Sequence, residues 1–165
     1  MKSLENYPYK NIPSISSIIS LIKPITWFPP VWAFLCGAVS SSNISFDTSM
    51  LLLIGLILSG PIVCGMSQAI NDWCDKEVDA INEPSRPIPS GKVPGNWGFW
   101  IAVIMSITGI IVSWFLGFWG FFATLLAIAC AWAYSAEPIR LKRSGIIGPS
   151  IVALCYEGLP WFTGV

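Results

Sequence analysis

A chain of 165 residues is the size of one domain, but only 11% of this one is charged, 54% is hydrophobic, and its formal net charge is zero. Soluble chains run near 25% charged, so this composition excludes an ordinary water-soluble domain. No basic stripe offers a footprint for nucleic acid, and histidine, the commonest general base and transition-metal ligand, is absent.

Residues 1–20 contain Lys2, Glu5, Lys10 and two prolines without a compact apolar core. They read as a cytoplasmic N-terminal segment and not as a cleavable signal peptide. Residues 21–165 are different. No Asp, Glu, Lys or Arg lies between Lys23 and Asp47, between Asp47 and Asp72, or between Lys92 and Glu137. The first two gaps each admit one membrane helix of about 20 residues, and the third admits two. The expected fold is all-α, an integral membrane helical bundle with five spans in a lipid bilayer.

The first expected span covers about Pro24 to Val39 and is broken by Pro29 and Pro30. The second covers about Met50 to Ile70, with Gly60 and Pro61 at its middle; neighbouring helices can satisfy the backbone groups that these residues free. The third runs from about Trp97 to Leu116. A turn at Gly117-Phe118-Trp119-Gly120 leads to the fourth, which ends near Tyr134. The fifth starts near Ile146 and is still apolar at Val165.

With five spans, all nine basic residues share one face: Lys2, Lys10 and Lys23, then Lys76, Arg86 and Lys92, then Arg140, Lys142 and Arg143. The opposite loops carry one charge, Asp47. The positive-inside rule makes the basic face, and the N-terminus, cytoplasmic. Trp27, Trp32, Trp97, Trp100, Trp114, Trp119 and Trp161 mostly fall near span ends, as an interfacial aromatic belt requires. Cys36, Cys64, Cys74, Cys130 and Cys155 form no C-x-x-C pair, so they read as packing residues and not as a disulfide framework or zinc site.

The second span runs directly into an acidic segment that holds five of the nine acidic residues, from Asp72 to Glu83. If the helix continues, Asn71, Asp75 and Asp79 repeat at i, i+4 and i+8, and Asp72 sits three residues before Asp75. A 3.6-residue period puts all four on one stripe. Like charges at that spacing repel unless something positive sits among them. Oxygen ligands suit Mg²⁺, which often bridges carboxylates to substrate phosphates. Cations on the same face then have a phosphate to bind.

The pattern N-D-x-x-D-x-x-x-D followed by R-P-I-P-S-G resembles the first aspartate motif of the intramembrane prenyltransferases, the UbiA superfamily. The longer string D-A-I-N-E-P-S-R-P-I-P-S-G resembles the chlorophyll and bacteriochlorophyll synthase group within it. Three stretches resemble the bacteriochlorophyll branch: K-P-I-T-W-F-P-P-V-W-A-F at 23–34, G-P-I-V-C-G-M-S-Q-A at 60–69, and Y-E-G-L-P-W at 156–161. The stretch W-A-Y-S-A-E-P-I-R-L-K at 132–142 is similar to the shared basic loop.

The resemblance implies nine transmembrane helices around a cavity, two aspartate motifs, and a bacterial inner or intracytoplasmic membrane. The second motif would follow the sixth helix, so a chain ending in the fifth span is expected to be a fragment or a truncated form, inactive alone. The implied reaction moves a geranylgeranyl or phytyl group from its diphosphate to the propionate carboxylate of (bacterio)chlorophyllide a. Asn71, Asp72, Asp75 and Asp79 would hold Mg²⁺. Arg86, Arg140, Lys142 and Lys23 would bind diphosphate oxygens, and Tyr134 would donate a hydrogen bond to the leaving group. Glu157, a carboxylate inside the fifth span, is expected to face the cavity or a polar partner.

Other readings remain at this point. Prenylation of an aromatic quinone precursor would keep the acidic run but does not need I-N-E-P-S-R-P-I-P-S-G. A metal transporter would place acids along a mid-membrane path, whereas here they cluster at one mouth. A non-catalytic pigment scaffold or truncated membrane protein is the third reading. Nothing in the sequence sets an oligomeric state.

Overall fold

The computed structural model describes residues 12–41 and 48–165, and among them every regular element is helical. Lys2, Lys10 and Asp47, on which part of the charge topology rests, lie outside the described residues.

Helix α1 (Ile15–Ile22) starts at Ser14, whose Oγ accepts the backbone N–H of Ser17 at 3.2 Å. It runs across the boundary expected near residue 20. Lys23, at φ 46°, ends it in the left-handed region. A 3₁₀ turn, Pro24–Trp27, then leads into α2 (Phe28–Ser40). The two helices meet at 41°. The expected break at Pro29 and Pro30 is therefore misplaced. Both prolines lie in the first turn of α2, where a missing N–H costs nothing, and the corner falls at Lys23.

Ser49–Cys74 is one continuous helical stretch, made of α3 (Ser49–Ile57), a π-helical turn (Leu58–Cys64) and α4 (Gly65–Cys74). Pro61 sits inside the π turn. Its ring would clash with the carbonyl four residues back, and the wider turn relieves that clash. After Asp75 comes α5 (Lys76–Asn82), then a loop that inserts Val93 into the core beside Ile70 and Ala102.

Helices α6 (Trp97–Ser113) and α7 (Gly117–Ser135) reverse at Gly117, φ 73°. Their antiparallel pairing shows in the ring contacts Phe99–Trp132 at 5.8 Å and Trp114–Phe121 at 5.4 Å. Small residues of α7, including Gly120, Ala123, Ala127 and Ala131, face inward and allow close approach. The chain ends with α8 (Ile147–Ala153), a second π turn (Leu154–Gly158) and α9 (Leu159–Gly164). Helix α9 lies backbone to backbone on α2: a Cβ added at Gly37 would overlap the Trp161 carbonyl oxygen.

Ser49–Cys74 and Trp97–Ser135 are long and apolar enough to cross a membrane, and the bent pair α1–α2 makes a third candidate. Because Trp97–Ser135 folds back at Gly117, it accounts for the third and fourth expected spans. The fifth, 147–164, is helical throughout but does not reach the same combination of length and hydropathy. Large apolar side chains face outward on α6 and α7, among them Ile104, Ile107, Ile111, Phe118, Phe122 and Leu126. Trp32, Trp100, Trp114, Trp119 and Trp161 are exposed as well. A lipid solvent accounts for such a surface. The chain is an integral membrane protein built as a helical bundle.

Candidate functional site

The acidic run is not one uninterrupted helix. It bends at Asp75, which has φ −96° and ψ 5° and joins α4 to α5. Two hydrogen bonds carry the helical i→i−4 pattern across the bend, Asp75 N–H to Asn71 O at 3.0 Å and Asp79 N–H to Asp75 O at 2.8 Å. The bend gives the carboxylates different partners. Asp72 accepts from Lys23 Nζ at 2.7 Å and lies 3.4 Å from Arg86 Nη1. Asp79 accepts from the same Arg86 nitrogen at 2.8 Å. Asp75 instead accepts from Arg140 Nη2 at 2.8 Å and Lys142 Nζ at 2.6 Å.

Two of these cations sit on backbone corners. Lys23 (φ 46°) and Arg140 (φ 39°) are the non-glycine residues at positive φ among those described. Such conformations are uncommon outside Gly, Asn and Asp and persist where surrounding contacts enforce them. At Lys23 the contacts are visible: Thr26 donates both its N–H (2.9 Å) and its hydroxyl (2.8 Å) to Lys23 O, and Trp27 Nε1 donates to Ile22 O at 2.9 Å.

Beside the acidic run a cavity of about 350 Å³ opens into the bundle. Lys23, Asn71, Arg86, Tyr134 and Ser135 line it with polar groups. Asn71 Nδ2 lies 3.4 Å from Ser135 Oγ. Phe34, Leu58, Val63, Ala123, Ala127 and Leu159 supply apolar walls. Of the four cations expected to meet a diphosphate, Lys23 and Arg86 line the cavity and Arg140 and Lys142 do not. Tyr134 lines it too. Glu157 does not: it is exposed and outside the cavity lining, which corrects the sequence expectation. The π turn at 154–158 points Cys155 and Tyr156 inward and leaves Glu157 on the outer side.

The ion pairs fall into two groups. Lys23 and Arg86 face Asp72, Asp79 and Glu83, a formal charge of −1, and Arg140, Lys142 and Arg143 face Asp75 and Glu137, a formal charge of +1, so the charges cancel only between the groups. Arg86 holds the exposed Glu83 carboxyl below the ordinary carboxylate range. Glu83, in turn, raises the Arg86 pKa, and Glu137 raises that of Arg140. Both guanidiniums therefore stay charged at any working pH. A lowered carboxyl pKa gives a contribution that is present above the ordinary Glu value and lost as pH falls through the lowered one. The Glu83–Arg86 pair is accordingly expected to persist at neutral pH and to open only on strong acidification, which chemical-shift titration of the Glu83 carboxyl would read.

Two buried atoms of the network have no hydrogen-bond partner, the acceptor Asp72 Oδ2 and the donor Arg140 Nε. Buried polar atoms of this kind are rare and need an explanation. An open carboxylate oxygen suits a cation, and an open guanidinium N–H suits a phosphate oxygen. Among the described residues no three acidic or thiol groups form a self-contained metal cage. Asn71, Asp72, Asp75 and Asp79 carry oxygen donors, the type that a hard cation takes, with Asp72 and Asp79 here on Arg86 and Asp75 on Arg140 and Lys142.

The sequence did not single out Glu83, Glu137, Ser135 or Gln68. Gln68 had a readable signal: it is an amide in an apolar run, three residues before Asn71 on the same helical face.

A family model described as "UbiA prenyltransferase family" matches residues 28–165. The chain is 62% identical over 155 residues to the bacteriochlorophyll synthase 33 kDa chain of Rhodobacter capsulatus, covering 94% of this chain and 51% of that protein. It is 47% identical to the bacteriochlorophyll synthase 34 kDa chain of Chloroflexus aurantiacus, covering 88% and 47%. A solved structure from work on digeranylgeranylglyceryl phosphate synthase in membranes superposes with a TM-score of 0.77 at 26% identity, covering 90% of this chain and 51% of that one. The chain spans about half the length of these relatives.

Proposed function

The chain belongs to the UbiA prenyltransferase family, and from that membership we propose that it is the N-terminal part of a bacteriochlorophyll synthase. The complete enzyme transfers a geranylgeranyl or phytyl group from its diphosphate to the propionate carboxylate of bacteriochlorophyllide a. It lies in a bacterial inner membrane with its N-terminus cytoplasmic. Residues 1–20 precede the prenyltransferase domain, whose first part is 21–165. The observation that carries this reading is the pair of ion-pair groups, one with an open acceptor and one with an open donor, the first of which reaches an apolar cavity through Lys23 and Arg86.

Pairing explains a need for metal. Each cation of the network already has a carboxylate, so a diphosphate cannot dock on them without leaving those carboxylates uncompensated. Members of the family generally use a divalent metal. Here Asn71, Asp72, Asp75 and Asp79 would hold Mg²⁺, which supplies charge neutralisation to the leaving diphosphate. Arg86 and Arg140 would turn their planar guanidiniums to diphosphate oxygens. Lys23 and Lys142 add point charges, and Tyr134 donates a hydrogen bond to the leaving group. The apolar walls hold the prenyl chain and exclude water from the reacting carbon. The acceptor is already a carboxylate, so no general base is required.

The test is ester formation by the full-length enzyme from bacteriochlorophyllide a, geranylgeranyl diphosphate and Mg²⁺, followed by chromatography. Product is expected and should disappear on chelation. Absence of ester with either prenyl donor would overturn the assignment. The 165-residue chain alone is expected to form none. Product from it would show that the remaining half of the family's length is dispensable.

A further inference from the structure

The three sequence stretches that resemble the bacteriochlorophyll branch meet at one place on the cavity wall. Thr26 comes from the first, Cys64 and Gln68 from the second, and Tyr156 from the third. Gln68 Nε2 donates to the Tyr156 hydroxyl at 2.7 Å, and Cys64 Sγ lies 3.6 Å from the same oxygen. Cys64 also reaches Thr26, at 3.5 Å to its hydroxyl and 3.3 Å to its carbonyl. Cys64, Gln68 and Tyr156 all line the cavity. Gln68 and Ser67 contact the Tyr156 oxygen, and because the Cys64 thiol donates to the Thr26 carbonyl, the partner left for the Tyr156 proton is the Cys64 sulfur, a weak acceptor at 3.6 Å. A hydroxyl held in this way can exchange a weak sulfur acceptor for a stronger oxygen one.

We propose that Tyr156, fixed by Gln68 and Cys64, is an acceptor-positioning residue that donates a hydrogen bond to a carboxylate oxygen of the acceptor. The inference rests on the function proposed above. Elimination among the ligand groups supports it. The diphosphate is met by Lys23 and Arg86, and a prenyl chain has no atom that can accept a hydrogen bond. Of the acceptor's oxygen-bearing groups, the reacting carboxylate is the one that must come up to the diphosphate end of the cavity. Gln68 precedes Asp72 by one helical turn, about 6 Å along the axis, so this donor stands beside the diphosphate end without joining the ion-pair network. Holding one carboxylate oxygen leaves the other free to attack. Good placement of reacting atoms is itself a source of rate.

The experiment is steady-state kinetics of full-length Tyr156→Phe, which removes one oxygen and keeps the ring. The expected result is a rise of about ten- to a hundredfold in KM for the pigment acceptor, the effect of one hydrogen bond to a charged acceptor, with KM for the prenyl diphosphate unchanged. Gln68→Leu, which frees the Tyr156 ring, should shift the same constant in the same direction. Unchanged acceptor KM in Tyr156→Phe would overturn the proposal, as would an equal rise in both KM values, which marks a general packing defect. An inactive wild-type enzyme would instead strike the function on which the proposal rests.

Discussion

Asp75→Ala in the full-length enzyme is expected to abolish ester formation, lowering kcat/KM by about a thousandfold or more. Asp75 is the carboxylate at the bend between α4 and α5, and among the described residues it alone receives both Arg140 and Lys142. Its removal takes an oxygen from the proposed metal ligand set, leaves Lys142 without its carboxylate and leaves Arg140 with Glu137 alone. Arg140 also sits on a left-handed corner, so its aim depends on what holds its side chain. Asp75→Asn, which keeps the shape and one acceptor oxygen, separates charge from folding. If it melts like wild type and is inactive, the charge is what matters. Wild-type turnover by Asp75→Ala at ordinary Mg²⁺ would refute the metal role.

Gly37→Ala should damage the bundle with no chemical change at the site. The added methyl would overlap the Trp161 carbonyl oxygen and approach its carbonyl carbon to 3.0 Å. A backbone carbonyl in α9 cannot swing aside as a side chain can, so α2 and α9 must separate. Overpacking of this kind costs about 1–3 kcal/mol. Thermal unfolding in detergent should show a clearly lower midpoint for Gly37→Ala. Gly145→Ala, where a Cβ meets nothing within 4 Å, should melt like wild type. Equal midpoints for the two variants would contradict the α2–α9 contact.

The membrane class, the helical content and the acidic run were legible because each depends on local pattern. Apolar length sets spans, and a 3.6-residue period sets faces. The misplacements have a common physical origin. Pro29 and Pro30 were read as breakers, yet proline in a first turn is tolerated, and the true corner at Lys23 is a left-handed lysine that no propensity favours. Glu157 was expected inside because burial of a carboxylate without function is costly. A π turn shifts the helical register there and carries it outward. The division of the carboxylates between two cation sets was hidden because Lys23, Arg86, Arg140 and Lys142 are brought together only by tertiary folding. The hydrogen-bonded group around Tyr156 was hidden for the same reason, although each stretch that supplies it was conspicuous alone.

The pairing of these charges has a kinetic consequence. Electrostatic steering needs a field that extends beyond contact, and it weakens steeply as ionic strength rises. A mouth in which every cation of the network already faces a carboxylate projects little such field. On the proposed reading, the donor arrives by lateral diffusion, carried along the bilayer by its own prenyl chain, and the charges act only once the metal-bound headgroup is in place. Its association rate should therefore respond to the amount of lipid that dilutes it and hardly at all to added salt.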